Sequence, residues 1–304
     1  MRDAFLDKLT ELAAADKDVV LLTADLGFGV FENFESKFPG QYFNVGVAEQ
    51  NMTGLAAGLA LEGKKVITYS IANFPTLRCL EQIRNDGCYH DLNITIVASG
   101  GGFSYGSLGM SHHATEDIAI LRALPAMSVV APGTAWEASE AIEALVKGDG
   151  VGYLRLDKTV ADENSTLLFF LGRSIRYREG ADVTLLSTGG ILRETIQAAE
   201  LLQELGIDAG VVSMYSIKPI DKDAIIAAAN ETGGIVTIEE HNIDGGLGSA
   251  VAEVCMDSGF IPKKFLRIGL DNQYSSIVGS QDYLKAHYQM DATAIVQRIK
   301  MLLE

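Results

Sequence analysis

The sequence predicts an α/β protein with two domains, each a mostly parallel β-sheet flanked by helices. Short apolar, β-prone runs alternate with helical segments along most of the 304 residues, which is the pattern of repeated βα units. The chain is long enough for two domains of ordinary size. The alternation breaks between residues 158 and 181, where a polar stretch, an apolar patch and a charged turn follow one another. We therefore predict a first domain at residues 1–165, a linker at 166–180 and a second domain at 181–304.

The first domain opens with the amphipathic helix MRDAFLDKLTELAAADKDVV, and the apolar strand VVLLT then leads into the loop ADLG. The segments that follow, read in order as helices and strands, are FENFESKFP, the helix around Glu49, KKVITYS, TLRCLEQIRNDGCYH, LNITIVASGGG, TEDIAILRAL, SVVAPG, TAWEASEAIEALVKG and VGYLRLD. The second domain contains DVTLLSTGG, ILRETIQAAELLQELG, IDAGVVSMYSIKP, DKDAIIAAANETG, GIVTIEEH, GLGSAVAEVCMDSG, KKFLRIGL and a final helix from about Asp291. Ligands of such sheets collect at the carboxyl ends of the strands, so a site is expected in the loops that follow them.

Composition limits the classes of function. Hydrophobic residues make up 48% and charged residues 21%, as in a soluble globular protein. A formal net charge of -16 argues against a nucleic-acid partner, which would need basic patches. The three cysteines, Cys79, Cys88 and Cys255, show no disulfide pattern and suit a reducing compartment. We see no signal peptide and no apolar run of the roughly 18 to 20 residues that a membrane span needs, so we expect a cytoplasmic protein without a membrane partner.

The stretch NVGVAEQNMTGLAAGLA, at residues 44–60, holds one carboxylate in an otherwise apolar run. Small residues follow Glu49 and allow its helix to lie close to neighbouring backbone. A glutamate in the first turn of a helix is favoured by the helix dipole, so the residue alone has an ordinary structural explanation.

The same stretch resembles the pyrimidine-binding half of the transketolase family, in which a Glu in a G-[IV]-[AR]-E-[QH] context hydrogen-bonds the aminopyrimidine ring of thiamine diphosphate. The similarity continues in the family's order through FENFESKFPGQYFNVGVAEQNM, IANFPTLRCLEQIRN, GMSHHATEDIAILRALPAMSVVAPG, MYSIKPID and EEHNIDGGLGSAV. It implies a pyrimidine-binding domain followed by the transketolase C-terminal domain. It also implies a transferase of carbohydrate metabolism that moves a two-carbon ketol unit between sugars.

The resemblance implies that Glu49 is catalytic, with its carboxyl group held against N1′ of the aminopyrimidine and sharing a proton with it. Burial among apolar side chains favours a protonated carboxyl group, and we expect Val47, Ala48 and Met52 to supply such a pocket. Further residues that the resemblance places against the cofactor are Phe74, Ile71, Asp25 and Leu26. Phe74 would pack on the face of the pyrimidine, although it also fits an ordinary core position. Asp25 also fits an ordinary turn.

The glycine-rich loop at residues 100–106 leads to two adjacent histidines. His112 matches the histidine of the family's T-H-Q segment, which contacts the donor sugar and can move a proton. The other candidate substrate-binding residues are His113, Ser104 and Lys158. Lys158 stands where the family often has an arginine that contacts phosphate, although it also fits a solvated lysine. No further ligands lie near the histidine pair at metal-binding spacing, so we predict no metal site on this chain.

Two positions depart from the family pattern. Leu108 stands where the family has an acid that reads the donor's hydroxyl configuration, and Gly100 stands where it has a histidine. Whether the sugar substrates are phosphorylated therefore stays open.

The diphosphate half of the cofactor has no counterpart in this sequence. Residues 148–150 read GDG, like the start of the diphosphate-binding motif, but no asparagine follows at 174–181 and the spacing favours a turn. The sequence begins where the diphosphate-binding domain of a full-length transketolase would end. We therefore predict a split enzyme, in which an N-terminal transketolase subunit supplies the diphosphate site with Mg²⁺ or Ca²⁺. The expected assembly is an α2β2 heterotetramer with the cofactor at the subunit interface.

Other functions stay open on the sequence alone. The β subunit of a 2-oxoacid dehydrogenase decarboxylating component and a deoxyxylulose phosphate synthase-like enzyme share the glutamate, although ATEDIAILR and SIKPID favour transketolase. Residues 102–106 also fit the G-x-S-x-G pattern of a serine hydrolase that would use Ser104. A non-catalytic partner that retained only the fold is a further alternative.

Overall fold

The computed structural model describes residues 1–27, 29–162 and 168–304, which fold into two β-sheets flanked by helices. The strands are β1 (Val19–Thr23), β2 (Tyr42–Asn44), β3 (Lys65–Ile71), β4 (Ile94–Ser99), β5 (Met127–Val130), β6 (Val151–Leu156), β7 (Ile175–Arg178), β8 (Val183–Thr188), β9 (Ala209–Ser213), β10 (Ser216–Lys218), β11 (Ile235–Asn242) and β12 (Phe265–Leu270). The helices are α1 (Arg2–Ala15), α2 (Glu32–Lys37), α3 (Glu49–Leu61), α4 (Asn73–Thr76), α5 (Leu80–Gln82), α6 (Asp117–Arg122), α7 (Ala135–Lys147), α8 (Leu192–Glu204), α9 (Lys222–Glu231), α10 (Leu247–Ser258), α11 (Gln281–His287) and α12 (Ala292–Leu303). The predicted architecture of two mostly parallel sheets is confirmed.

The first sheet has the strand order β10-β5-β6-β4-β3-β1-β2. Strands β1 to β6 pair in parallel, and β10 pairs antiparallel with β5. The carboxyl ends of β1, β3, β4 and β6 therefore meet at one edge of the sheet. The loops that begin there carry Asp25, Leu26, Gly100 and Lys158, which places several predicted site residues at the expected edge.

Helices cover both faces of the first sheet. Helix α1 packs against α7 over one face, where Phe5, Leu9 and Ile142 are fully buried. On the other face Met52 of α3, Ile83 and Ile118 pack in a second cluster, with Ile83 in a π-helical turn (Ile83–Cys88) that follows α5. All five residues of β1 are buried, as expected for a parallel strand covered on both sides. The packing of Met52 fixes α3, and with it the position of Glu49.

The second sheet has the order β12-β11-β8-β9-β7 and is parallel except for β7, which runs antiparallel to β9. Two short strands do not follow the predicted division of the chain into two domains. Strand β7 lies inside the segment predicted as a linker, and β10 comes from the second half of the chain but completes the first sheet. The domain boundaries stay a prediction, and residues 163–167, where we placed the end of the first domain, lie outside the described residues.

Buried charged groups join the two domains. Arg155 of β6 is fully buried, and its Nη2 donates to the main-chain oxygen of Glu240 in β11 at 2.9 Å. Its Nε lies 3.5 Å from Asp117 Oδ2 and 3.7 Å from Asp157 Oδ1. The Glu240 carboxylate in turn accepts hydrogen bonds from the main-chain N–H of Phe103 and from the side chain of Gln281. Loops of the first domain are therefore held against the second domain by buried polar contacts.

Cys79, Cys88 and Cys255 are buried free thiols. Among the residues described, none of the helices combines the length and the apolar character that crossing a bilayer requires.

Candidate active site

Glu49 is the first residue of α3, and its side chain is only 2% exposed. The open N–H groups of the first helical turn favour a carboxylate at this position. Its Oε2 accepts a hydrogen bond from Nη1 of Arg78 at 2.7 Å. The prediction of an apolar pocket around Glu49 is therefore wrong in part, because the cationic side chain of Arg78 binds the carboxylate. Val47, which we expected to line that pocket, is 74% exposed, whereas Met52 is fully buried.

Four side chains form a continuous row that starts at Glu49. The guanidinium carbon of Arg78 lies 4.9 Å from the centroid of the Phe74 ring. Phe74 also meets His112 edge to face, with ring centroids 5.3 Å apart. Asn73 Nδ2 donates to the main-chain oxygens of Ser111 and His113 and so ties α4 to the histidine loop. Local helical structure after β3 therefore brings the predicted residues Glu49, Phe74 and His112 together.

Sequence analysis missed Arg78, although one signal was present. Phe74 and Arg78 are four residues apart, and in a helical segment this spacing places two side chains on the same face. The side chain of Arg78 is 48% exposed, so the row is accessible from solvent on this side.

The two histidines have different surroundings. His112 is half-buried, and its Nδ1 lies 3.0 Å from the hydroxyl of Ser111. His113 is 3% exposed, packs edge to face on Phe103 and has its Nε2 3.3 Å from the main-chain oxygen of Gly106. Burial lowers the pKa of His113 and favours its neutral form. His112 therefore contacts Phe74 within the row, whereas His113 is packed between the domains.

A cleft of about 470 Å³ lies at the carboxyl edge of the first sheet, and Leu26, Ile71 and Lys158 contribute to its wall. Tyr105 lines the same cleft, and Lys158 Nζ lies 3.8 Å from the centroid of its ring. Residues 71–74 connect the cleft to the row, since Ile71 faces the cleft and Phe74 belongs to the row.

Asn44 holds Asp25 in place. Asp25 has a left-handed φ of +54°, and its N–H donates to Asn44 Oδ1 at 3.0 Å while Asn44 Nδ2 donates back to Asp25 Oδ1 at 3.1 Å. The same Asn44 Oδ1 accepts the N–H of Gly46 at 3.0 Å, in the loop that leads to Glu49. One asparagine therefore fixes the loop after β1 relative to the start of α3.

Ser104 lies between the domains and is 7% exposed. Its Oγ accepts from the N–H of Lys158 at 3.4 Å and from Nε2 of Gln281 at 3.5 Å. Both are amide donors and neither can remove a proton from the hydroxyl, so this geometry gives the serine hydrolase alternative no support.

Two models of known protein families match this chain. Residues 1–162 match the family model of the transketolase pyrimidine-binding domain, and residues 172–295 match that of the transketolase C-terminal domain. The chain belongs to the transketolase family. Membership implies dependence on thiamine diphosphate, as the resemblance had indicated.

Relatives of similar length identify the kind of transketolase chain. The chain is 38% identical over 298 residues to an apulose-4-phosphate transketolase subunit of Phocaeicola vulgatus, covering 97% of this chain and 94% of the relative. It is 37% identical over 302 residues to a 6-deoxy-6-sulfo-D-fructose transketolase subunit of a Clostridium species, covering 98% and 92%. A solved structure described as a split gene transketolase, inactive beta4 tetramer, superposes with a TM-score of 0.91 at 36% identity and covers 99% of this chain and 97% of that one. The predicted likeness to the C-terminal subunit of a split transketolase is thus confirmed.

The residues of this transketolase-family chain fit the aminopyrimidine half of the cofactor. The structure itself holds a planar group with N–H donors, the guanidinium of Arg78, against Glu49 and over the ring of Phe74. An aminopyrimidine is also planar and could meet the same acid with its edge and the same ring with its face. In the parts of the chain that the structure describes, no three or more His, Cys, Asp or Glu side chains are grouped so as to hold a metal ion.

Proposed function

We propose that this chain is the subunit of a thiamine diphosphate-dependent split transketolase that transfers a two-carbon ketol unit between sugars. The observation that carries the proposal is the buried carboxylate of Glu49. Arg78 connects this carboxylate to the Phe74 ring, and Phe74 in turn contacts His112. When bound, thiamine diphosphate supplies a carbon nucleophile that accepts and releases the ketol unit.

Each candidate residue has a role that its surroundings allow. Glu49 meets N1′ of the aminopyrimidine with its carboxyl group, at a position shielded from water. Phe74 packs against the pyrimidine face, and His112 exchanges a proton with a sugar hydroxyl. Other residues of the proposed site are Asp25, Leu26 and Ile71 on the border of the cofactor, and His113 and Ser104 behind the substrate.

The substrates we propose are sugars that carry an anionic group. Two similar transketolase subunits are named for apulose-4-phosphate and for 6-deoxy-6-sulfo-D-fructose. With a net charge of -16, this chain repels anions at long range and needs a local cation to bind one. Lys158 lines the cleft and supplies such a cation. Leu108 stands where the family has an acid, and because its side chain has no polar atom it cannot make the usual hydrogen bond with a donor hydroxyl.

The outer face of α3 suits a partner subunit. Gly54 and Gly58 are exposed with open space around them, so another backbone could approach closely. Leu55 and Leu61 on this helix are 40% and 65% exposed, which is unusual for an apolar surface that stays in water. We propose that an N-terminal subunit packs here and brings the diphosphate site with Mg²⁺ or Ca²⁺, in an α2β2 assembly. The description of the similar solved chain as an inactive beta4 tetramer supports self-association without turnover when the partner is missing.

The test compares the full chain alone with the chain mixed with its N-terminal subunit. We expect ketol transfer, and tight metal-dependent binding of thiamine diphosphate by calorimetry, only in the mixture. Tight metal-dependent binding by the isolated chain would refute the split site. Transfer of an acyl group to lipoyl acceptors would favour the 2-oxoacid dehydrogenase alternative, and consumption of pyruvate without a ketose donor would favour the synthase alternative.

A further inference from the structure

Arg78 makes two contacts that resemble those of an aromatic ligand. Its Nη1 donates to Glu49 Oε2 at 2.7 Å, and its guanidinium carbon lies 4.9 Å from the centroid of Phe74. A guanidinium is planar, carries N–H donors on its edge and stacks its face on aromatic rings. These are the same edge and face interactions that the proposed function assigns to the aminopyrimidine at Glu49 and Phe74.

Both occupants would use the same carboxylate of Glu49 and the same ring of Phe74, so they would compete for this site. We infer that Arg78 is a displaceable occupant of the pyrimidine site, which holds Glu49 in the cofactor-free subunit and swings away when thiamine diphosphate binds. The inference rests on the proposed function and adds to it a regulation of the same site.

Burial explains why Glu49 needs a substitute partner. Its side chain is 2% exposed, and a buried carboxylate without a partner is strongly unfavourable. Arg78 satisfies it before the cofactor arrives. Because the Arg78 side chain is 48% exposed, it can rotate into water without repacking the core. Because the buried carboxylate needs a partner, Arg78 gives way only to a ligand that itself donates to Glu49.

Displacement lowers the apparent affinity for the cofactor, since only the fraction of subunits with Arg78 swung out can bind. Removing Arg78 should therefore tighten binding and destabilise the empty subunit at the same time. A residue that merely supports the fold would destabilise the subunit without tightening binding.

The first experiment uses the full chain alone and denaturant unfolding. R78A should lower the stability of the chain, whereas the matched control R84A, on an exposed arginine six residues further along, should not. In an E49Q background R78A should cost nothing more, because the buried charge is already absent. Methylguanidinium should restore the stability of R78A in a saturable way and leave R84A unchanged. Equal effects of R78A with and without E49Q would overturn the proposed pairing.

The second experiment measures thiamine diphosphate binding by calorimetry in the complex with the N-terminal subunit. R78A should bind about three to ten times more tightly than wild type, and methylguanidinium should compete with the cofactor in R78A. R78K, which keeps the charge but lacks the planar face, should show a smaller gain and serves if R78A does not fold. An unchanged or weaker affinity in both variants would overturn the inference alone. A wild-type complex that binds no thiamine diphosphate would instead overturn the proposed function on which the inference rests.

Discussion

Tyr105 fills the space that a side chain on Gly100 would need. A Cβ atom at position 100 would overlap the Cδ2 and Cε2 atoms of the Tyr105 ring, and Gly100 has a left-handed φ of +86°. The family resemblance puts a histidine at this strand end. In this chain the cleft is instead lined by a tyrosine from the following loop, with Lys158 over its ring.

The cost of the overlap between a side chain at position 100 and the Tyr105 ring can be measured by comparison with a second glycine. Gly63 has the same φ of +86°, but a Cβ atom added there would meet no other atom within 4 Å, so G63A reports backbone strain alone. We expect G63A to cost about 1 kcal/mol and G100A about 2 to 4 kcal/mol, because the second variant adds overpacking. Denaturant unfolding measures both. In a Y105A background the extra cost of G100A should disappear; equal costs of G63A and G100A in the wild-type background would contradict the overlap.

We expect Lys158 to bind the anionic group of the substrate and to take no part in the chemical step. We expect K158M to raise the KM for an anionic ketose about tenfold and to leave kcat nearly unchanged, since a single ion pair to the substrate is lost. The measurement is steady-state kinetics of the assembled enzyme with an anionic sugar and with its neutral analogue. The KM for the neutral analogue should not change, and an equal rise for both sugars would argue against an anion contact.

Replacement of Glu49 tests the chemistry directly. E49Q keeps the shape of the side chain but cannot hold a proton in the same way, so ketol transfer by the assembled enzyme should fall by at least about 100-fold. E62Q is the matched control, since Glu62 is exposed just after the same helix. Circular dichroism should show that both variants are folded. Full activity of E49Q would reduce this chain to a non-catalytic partner.

The interface between the domains should make stability depend on pH. Burial, together with nearby Asp157, raises the pKa of Glu240 from 4.5 to about 7. Because the folded chain holds this proton more tightly than the unfolded chain, the contribution is fully present below pH 4.5 and is lost as the pH rises through about 7. The free energy of unfolding of wild type should therefore fall across this window.

E240Q removes that titration, so its free energy of unfolding should change less between about pH 5 and about pH 8 than that of wild type. Denaturant titrations at several pH values measure the difference. D149N, at an exposed acid in a turn, should follow the wild-type curve. A parallel pH dependence of E240Q and wild type would mean that Glu240 does not titrate in this range.

Much of the fold followed from local pattern. Each buried parallel strand is a short apolar run bounded by helices, so segments such as VVLLT and NITIVAS were recognisable without knowledge of their neighbours. Strand β10 was not, because its three residues follow β9 closely and pair with β5, far away in the sequence. Strand β7 was hidden in the same way, since its partner β9 defines it.

The site was predictable where a motif fixed a residue type, and not where packing fixed a contact. Glu49, Phe74 and His112 were predicted as site residues from their motifs, and the structure places them in one row, while their roles stay predictions. The contact of Arg78 with Glu49 joins residues 29 positions apart and depends on how α3 and α4 pack. The exposure of Val47 depends on the turn before α3, which the sequence pattern alone does not specify.

The antiparallel pairing of β10 with β5 limits how the two halves of the chain can move relative to one another. The N–H of Ala131 also donates to the oxygen of Tyr215 at 2.8 Å, so a short segment from the second half of the chain is hydrogen-bonded to the edge of the first sheet. Two halves joined in this way resist hinge bending, because a hinge opening between them would break these hydrogen bonds. If the proposed function holds, entry and exit of substrate therefore depend on movements of the surrounding loops or on the boundary with the proposed partner subunit.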